Sequence, residues 1–231
     1  MILFYQPAIT EGILHLDEEE SRHCVKVLRK NTGDLIHLTD GKGSFYDALI
    51  TKADPRQCVF SITETHQQPT KEHHIHIAIS PTKNADRIEW FVEKTVELGV
   101  DEITLMDCHN TERSHVKSSR LQKVAVSAMK QSLKAYLPVI RDVTPFADVL
   151  KMNKGSGFIA YVDSSNPVHL RDAGIGFKNA LVLIGPEGDF SREELLLALK
   201  AGFQKVSLGK SRLRTETAGI AACHILNLMH E

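Results

Sequence analysis

The sequence predicts an α/β protein in two unlike parts, and three observations lead there. Residues up to about 66 carry short β-type runs separated by tight-turn signals. From His74 onward strand-like and helix-like segments alternate. Between them stands a polar, proline-bearing stretch, His66-Gln67-Gln68-Pro69-Thr70-Lys71, which reads as a linker. The expected division of the 231 residues is therefore 1–70 and 71–231.

In the first part, Leu35-Ile36-His37-Leu38 precedes the turn sequence Asp40-Gly41-Lys42-Gly43. A second run covers residues 45–50 and a third, after Asp54-Pro55, residues 58–62. That spacing predicts a small barrel or sandwich. Its one helical candidate covers residues 17–28, with Glu18, Glu19 and Glu20 in the first turn, where the helix dipole favours acids. In the second part, Ile75, Ile77 and Ile79 alternate before Ser80-Pro81-Thr82 turns the chain. Residues 84–98 place Ile88, Phe91, Val92 and Leu98 at helical spacing, and Gly99 follows as a natural terminator. Ile103-Thr104-Leu105-Met106 is the next strand. A long helix is expected over 119–136, with Leu121, Val124, Ala128 and Leu133 on one side and Pro138 beyond its end. Further strands are predicted over 139–143, 158–162, 181–184 and 205–208. Ser191-Arg192-Glu193-Glu194 is a capping box opening a helix over 192–201, and a last helix covers 215–229. Strands alternating with helices imply a mostly parallel sheet.

Charge narrows the function classes. Lys plus Arg is 28 and Asp plus Glu is 29, which excludes a uniformly basic protein that coats nucleic acid. Residues 109–141, however, hold seven cations (Arg113, Lys117, Arg120, Lys123, Lys130, Lys134 and Arg141) against the single acid Glu112. On the predicted helix, Lys123, Lys130 and Lys134 share the face opposite the apolar one, a pattern that suits phosphate contact. No apolar run approaches the ~20 residues of a membrane span, and the first residues lack the features of a secretory leader, so a cytoplasmic location without a membrane partner is expected. Cys24, Cys58, Cys108 and Cys223 are widely separated and read as small buried hydrophobes. His73, His74 and His76 cluster, but no third ligand stands at a clear spacing, and no metal is predicted.

Ligands of parallel α/β domains sit at loops beyond the strands' carboxyl ends. Three such loops are candidates: Asp163-Ser164-Ser165-Asn166-Pro167; Gly185-Pro186-Glu187-Gly188-Asp189-Phe190-Ser191; and Gly209-Lys210-Ser211-Arg212-Leu213-Arg214-Thr215-Glu216-Thr217. The second reads either as a backbone that approaches a ligand closely or as a plain strand-to-helix turn. In the third, two arginines and a glutamate read either as an anion site or as a surface ion-pair cluster. No dinucleotide or P-loop glycine pattern occurs, so a nicotinamide dehydrogenase ranks last.

Leu183-Ile184-Gly185-Pro186-Glu187-Gly188 and Leu208-Gly209-x-x-x-Leu213-Arg214-Thr215-Glu216-Thr217-Ala218 resemble the two C-terminal signature loops of the SPOUT RNA methyltransferases. More narrowly they resemble the family of ribosomal RNA small subunit methyltransferase E. The likeness extends to His23 with Val27-Leu28-Arg29, Gly33-Asp34, Lys83, Glu89-Trp90, Lys94, Glu97-Leu98-Gly99-Val100, Glu112-Arg113-Ser114 and Gln131-Ser132. The resemblance implies a PUA-like RNA-binding β-barrel followed by a SPOUT α/β domain with a parallel sheet and a deep C-terminal trefoil knot, working as a homodimer. It implies S-adenosylmethionine as cofactor and 3-methyluridine in the decoding region of 16S rRNA as product, made on the small ribosomal subunit or its RNA. The cofactor residues it implies are Tyr161, Val162, Ile184, Gly185, Pro186, Glu187, Gly188, Leu208, Gly209, Leu213, Arg214 and Thr217. Arg214, Glu216 and Glu187 are the catalytic candidates, either carboxylate serving as base, as a cofactor contact or as a brace for Arg214. Arg22, His23, Arg29, Lys83, Arg113, Lys123, Lys130 and Lys134 are the RNA-binding candidates. Three positions depart from the family pattern: Asp189 stands where a second glycine is common, Arg212 where a branched apolar residue is common, and Lys134 replaces an arginine. A ribose 2′-O-methyltransferase and a non-catalytic ribosome-assembly factor are the alternatives.

Overall fold

The computed structural model describes residues 1–112, 116–161 and 168–230. By internal contact the chain divides into two units, Met1–Thr70 with Val126–Leu137, and Lys71–Ala125 with Pro138–Glu231.

In the first unit β1 (Leu3–Tyr5), β2 (Leu35–Thr39), β3 (Ser44–Lys52) and β4 (Val59–Gln67) form a mixed four-stranded sheet in that order, with β1 parallel to β2 and the rest antiparallel. The Asp40 carboxylate folds the turn between β2 and β3 by accepting from the N–H groups of Lys42 (2.7 Å) and Ser44 (3.1 Å). Alternate residues Ile36 and Leu38, and Tyr46, Ala48 and Ile50, face a core shared with Phe4, Leu16, Cys24, Cys58 and Phe60. Helix α1 (Glu18–Arg22) starts where Asp17 accepts from the N–H of Glu20 (2.8 Å). The expected helix over 17–28 continues as one π-helical stretch, His23–Val27, and Arg29 follows in the left-handed region at φ 56°. Strand β4 is longer than expected: His66 and Gln67, read as linker, pair with Phe45 and Ser44.

In the second unit β5 (His74–Ile79), β6 (Glu102–Asp107), β7 (Val139–Pro145), β8 (Ser156–Ala160), β9 (Asn179–Ile184) and β10 (Gln204–Val206) make a parallel sheet ordered β10-β8-β9-β5-β6-β7. Strand β5 is buried on both faces, so Ala78 and His76 lie under cover as fully as the alternating isoleucines. Leu181 and Leu183 of β9 join Phe146, Val149, Phe190 and Ala198 on one face, where α4 (Phe146–Leu150) and α6 (Arg192–Lys200) pack. On the other face α7 (Thr215–Leu228) lies over β5 and β9 and against α2 (Ala85–Leu98). The Ser191 capping box opens α6 as expected. The short helices α4 and α5 (Leu170–Ala173) gave no sequence signal, because four or five residues are too few to display a helical period. Among the described residues no helix is long and apolar enough to cross a membrane.

Helix α3 (Ser118–Gln131) stops five residues short of its expected end. Leu133 takes φ 53°, and the N–H of Lys134 bonds the Met129 carbonyl (3.1 Å) while that of Leu133 bonds Lys130 (3.3 Å). This is a Schellman ending built without glycine. Residues beyond it are held by the first unit: Ala135 accepts from Gly43 N–H (2.9 Å), and Leu137 N–H donates to Gly41 (2.9 Å). Lys134 therefore lies outside the helix, and the expected face of Lys123, Lys130 and Lys134 does not exist.

Two expectations follow. A Cβ on Gly219 of α7 would stand 2.4 Å from the Phe91 ring of α2 and 3.1 Å from Ile79. Gly219→Val should cost about 1–3 kcal/mol in denaturant-unfolding stability. His76, buried and bonded through Nε2 to Thr104 Oγ1 (2.8 Å), has its pKa pushed down to about 4, chiefly by burial. Between about pH 6.5 and 4 the unfolded chain binds a proton here that the folded chain refuses, so stability falls as pH drops through that window, by up to about 3 kcal/mol. Unfolding curves at pH 7 and 4.5 should show a smaller loss in His76→Gln than in the wild type.

Candidate functional site

The order of the parallel sheet creates one switch point. From β5 the chain proceeds outward to β6 on one side, whereas from β9 it proceeds to β10 on the other. The connections leaving β5 and β9 diverge and open a crevice at their carboxyl ends. A cavity of about 620 Å³ lies there, lined by Arg87, Ala160, Ile184, Gly185, Pro186, Glu187, Asp189, Arg212, Leu213, Arg214, Thr215 and Ala218. Its size is that of a small-molecule site.

The loop after β9 is fixed from several directions. Gly185 faces the Phe190 ring, where a Cβ would approach to 3.0 Å. Its carbonyl accepts from the hydroxyl of Thr215 (3.1 Å), tying this loop to the start of α7. Asp189 occupies φ 62°, a left-handed conformation that suits glycine, and aspartate tolerates it because its carboxylate accepts from the N–H of Phe190 (2.8 Å). The Asn110 amide donates to the carbonyls of Gly188 (3.2 Å) and Asp189 (3.0 Å).

Arg214 is the N-cap of α7 at φ −73°, ψ 159°, with no side-chain cap bond, so the first N–H groups of that helix open beside the cavity. Two residues on, the Glu216 side chain is only 7% exposed, and its Oε1 lies 3.8 Å from Arg87 Nε. Its Oε2 is buried and has no hydrogen-bond partner among the described residues. Among the described residues Glu216 forms its ion pair with Arg87 and not with Arg214, the brace considered from sequence. Glu187, exposed at the cavity wall, accepts from the N–H of Lys83 (3.3 Å).

Of the residues expected at a cofactor site, Ile184, Gly185, Pro186, Glu187, Leu213 and Arg214 line the cavity. Gly188 packs on Asn110, and Thr217 is half-buried in the first turn of α7. Leu208 is half-buried and Gly209, at φ 123°, stands in open space; neither lines the cavity. Tyr161 donates its N–H to Val206 (3.3 Å) and packs against the core of its unit. Val162 and the rest of the first candidate loop lie outside the described residues, as does Arg113. Sequence reasoning missed Arg87: it sits in the first turn of the helix that leaves β5, and only the strand order makes that helix a neighbour of the β9 loop.

The cationic candidates are dispersed by their partners. Arg22 pairs with Glu18 (3.2 Å), Lys83 with Glu112 (2.9 Å) and Lys130 with Glu20. Arg120 and Arg141, part of the same basic excess, pair with Glu89 (2.6 Å) and Glu102. His23 stacks at a tilt on Phe4, while Arg29 and Lys123 are exposed. His74 and His76 do share a face, and with Glu102 and Arg141 they line a second cavity of about 370 Å³ at the amino ends of the strands.

The chain was compared with known proteins. A family model described as an RNA methyltransferase domain matches residues 69–227, and one described as an RNA methyltransferase PUA domain matches residues 16–63. Ribosomal RNA small subunit methyltransferase E of Mesomycoplasma hyopneumoniae is 30% identical over 186 residues, covering 78% of this chain and 79% of that protein. The crystal structure of a probable rRNA-methyltransferase from Porphyromonas gingivalis superposes with a TM-score of 0.92 at 44% identity, covering 100% of this chain and 98% of the other. That of a ribosomal RNA small subunit methyltransferase E from Neisseria gonorrhoeae bound to S-adenosyl methionine gives 0.85 at 28% identity, covering 96% and 95%. On the two family models and these full-length likenesses, the chain belongs to the ribosomal RNA small subunit methyltransferase E family, with a PUA domain ahead of its RNA methyltransferase domain.

Proposed function

We propose that the chain methylates N3 of a uridine in the decoding region of 16S rRNA, with S-adenosylmethionine held in the cavity at the β5–β9 switch point. The observation that carries this reading is the cavity itself, which the loop after β9 and the start of α7 line together; next in sequence to its lining residue Thr215, Glu216 is a buried carboxylate whose Oε2 has no hydrogen-bond partner among the described residues. An orphaned buried acceptor costs stability unless a ligand donates to it, and the cofactor offers amine and hydroxyl donors. The relative from Neisseria gonorrhoeae, described with S-adenosyl methionine bound, supports the assignment.

In this reading Ile184, Gly185, Pro186, Gly188, Leu208, Gly209, Leu213 and Thr217, with Tyr161 and Val162, form the cofactor cradle. S-adenosylmethionine supplies a sulfonium methyl group. Glu216, fixed by Arg87, accepts from the polar end of the cofactor. Arg214, exposed at the cavity wall, faces the uracil and stabilises the anion that forms as N3 loses its proton. Glu187 takes that proton. Alignment of N3 with the methyl carbon is the main contribution, and in favourable cases it supplies ~7–11 kcal/mol. Arg22, His23, Arg29, Lys83, Arg113, Lys123, Lys130 and Lys134 contact the RNA, which presents the uridine out of its stack. We further take residues 1–70 as a PUA-like barrel and 71–231 as a SPOUT domain whose last segments are knotted. The working form is a homodimer in the cytoplasm.

Methyl transfer from labelled S-adenosylmethionine to unmethylated small ribosomal subunits and to free 16S rRNA tests the proposal. Label recovered as 3-methyluridine at one site establishes it. Label on a ribose assigns a 2′-O activity instead, and RNA binding without transfer leaves an assembly factor. Glu187→Gln should lower kcat by ~10²–10⁴ and Arg214→Ala by ~10²–10³, each with S-adenosylmethionine affinity changed much less. Glu216→Gln should instead weaken cofactor binding, read by calorimetry. A double-mutant cycle of Arg87→Ala and Glu216→Gln should give a coupling of about 0.5–1 kcal/mol in stability, modest because Arg87 is partly solvated.

A further inference from the structure

The first unit holds a group of metal-ligating side chains far in sequence from the methyltransferase loops. Asp47 of β3 is the direct cross-strand partner of Glu64 of β4, and His66 follows two residues on, so Glu64 and His66 lie on the same face of β4. One ligand atom from each of Asp47, Glu64 and His66 lies within 4.8 Å of the other two. His66 Nε2 is 3.7 Å from Asp47 Oδ2 and 3.8 Å from Glu64 Oε2. Ligands at zinc-type bond lengths around a tetrahedral ion stand about 3.3–3.7 Å apart, so little movement closes this set.

Two further features prepare the site. The ladder between β3 and β4 shifts register directly after Asp47, an irregularity of the kind that re-aims side chains. On β2, His37 Nδ1 lies 2.6 Å from Asp47 Oδ1, which turns the other oxygen, Oδ2, toward His66. That is the role an outer-shell partner plays for a ligating carboxylate. Among the described residues, the ion pairs of Asp47 and Glu64 are all with histidines and none is with lysine or arginine.

We propose that Asp47, Glu64 and His66 on the sheet of the first unit bind a divalent transition-metal ion of the zinc type, with His37 holding Asp47 in its ligating orientation. One imidazole and two carboxylates form a borderline-hard set that suits such an ion. Three protein ligands leave a fourth position for water or an anionic oxygen. This would place a dication in a segment whose first 70 residues carry seven Lys and Arg against ten Asp and Glu. Sequence gave no hint of the site, because Glu64-x-His66 is an incomplete motif and its third ligand lies on another strand. The proposal is independent of the methyl-transfer reading.

Zinc titration of the intact chain by calorimetry at pH 7.5, with Co²⁺ as a spectroscopic stand-in, tests it. The expected result is one ion per chain with a tetrahedral Co²⁺ absorption band. His66→Ala and Asp47→Asn should each weaken binding at least tenfold, and His37→Ala about tenfold, since loss of an outer-shell partner costs 10–100-fold. His15→Ala, a histidine outside the cluster, should leave it unchanged. Unchanged melting of the metal-free variants confirms that each is folded, and the 50% exposure of the His66 side chain favours this. Absence of binding to the wild type, or affinity unchanged in either His66→Ala or Asp47→Asn, overturns the proposal.

Discussion

A Cβ at position 219 would stand 2.4 Å from the Phe91 ring, so α7 approaches α2 and β5 at a distance that glycine allows and larger residues do not. That approach seats α7, whose N-cap and first turn form one wall of the cavity. Thr215 reaches the Gly185 carbonyl, Glu216 turns inward beside Arg87, and Arg214 caps the helix at the wall. Two loops separated by some twenty residues thereby become one surface. The cost is a carboxylate oxygen buried without a partner among the described residues, and such strain persists where the surrounding packing over-determines it.

Charge follows a different logic. The run of cations over residues 109–141 is real in sequence, yet its field is divided by acids brought from elsewhere in the chain: Glu20 to Lys130, Glu89 to Arg120 and Glu102 to Arg141. The Arg120 and Arg141 pairs, whose cations are about half exposed or more, add little to stability, whereas Lys130 and Glu20 are both mostly covered. The larger effect of these pairs is to leave Lys123, with fewer of its neighbours than the sequence suggested, facing solvent. Any RNA contact on this surface then depends on a few placed cations, and its affinity should depend less steeply on salt than a +6 segment implies.

Much of the fold was legible because its signals are local. Asn84 and Gly99 bracket α2, the Ser191 box opens α6, and the turn at Asp40–Gly43 separates β2 from β3, each through hydrogen bonds among residues a few positions apart. The end of α3 was not legible. Leu133 carries no glycine-like signal, and it takes a left-handed conformation because residues 135–137 are held by Gly41, Gly43 and Gln68. In the site, the glycines and charged residues of the β9 and α7 loops stood out in the sequence, whereas Arg87 did not.

The sequence by itself determined the element types, the alternation that makes a parallel sheet, and the two signature loops, because periodicity, caps and turn chemistry act over a few residues. Only the tertiary structure decided the strand order, and with it the switch point that sets Arg87 beside Glu216 and the β9 loop beside α7. It also decided which cations remain unneutralised and which carboxylates gather around His66. The physical reason is common to all three. Contacts across strands and between helices depend on which elements become neighbours, and no local pattern encodes that choice.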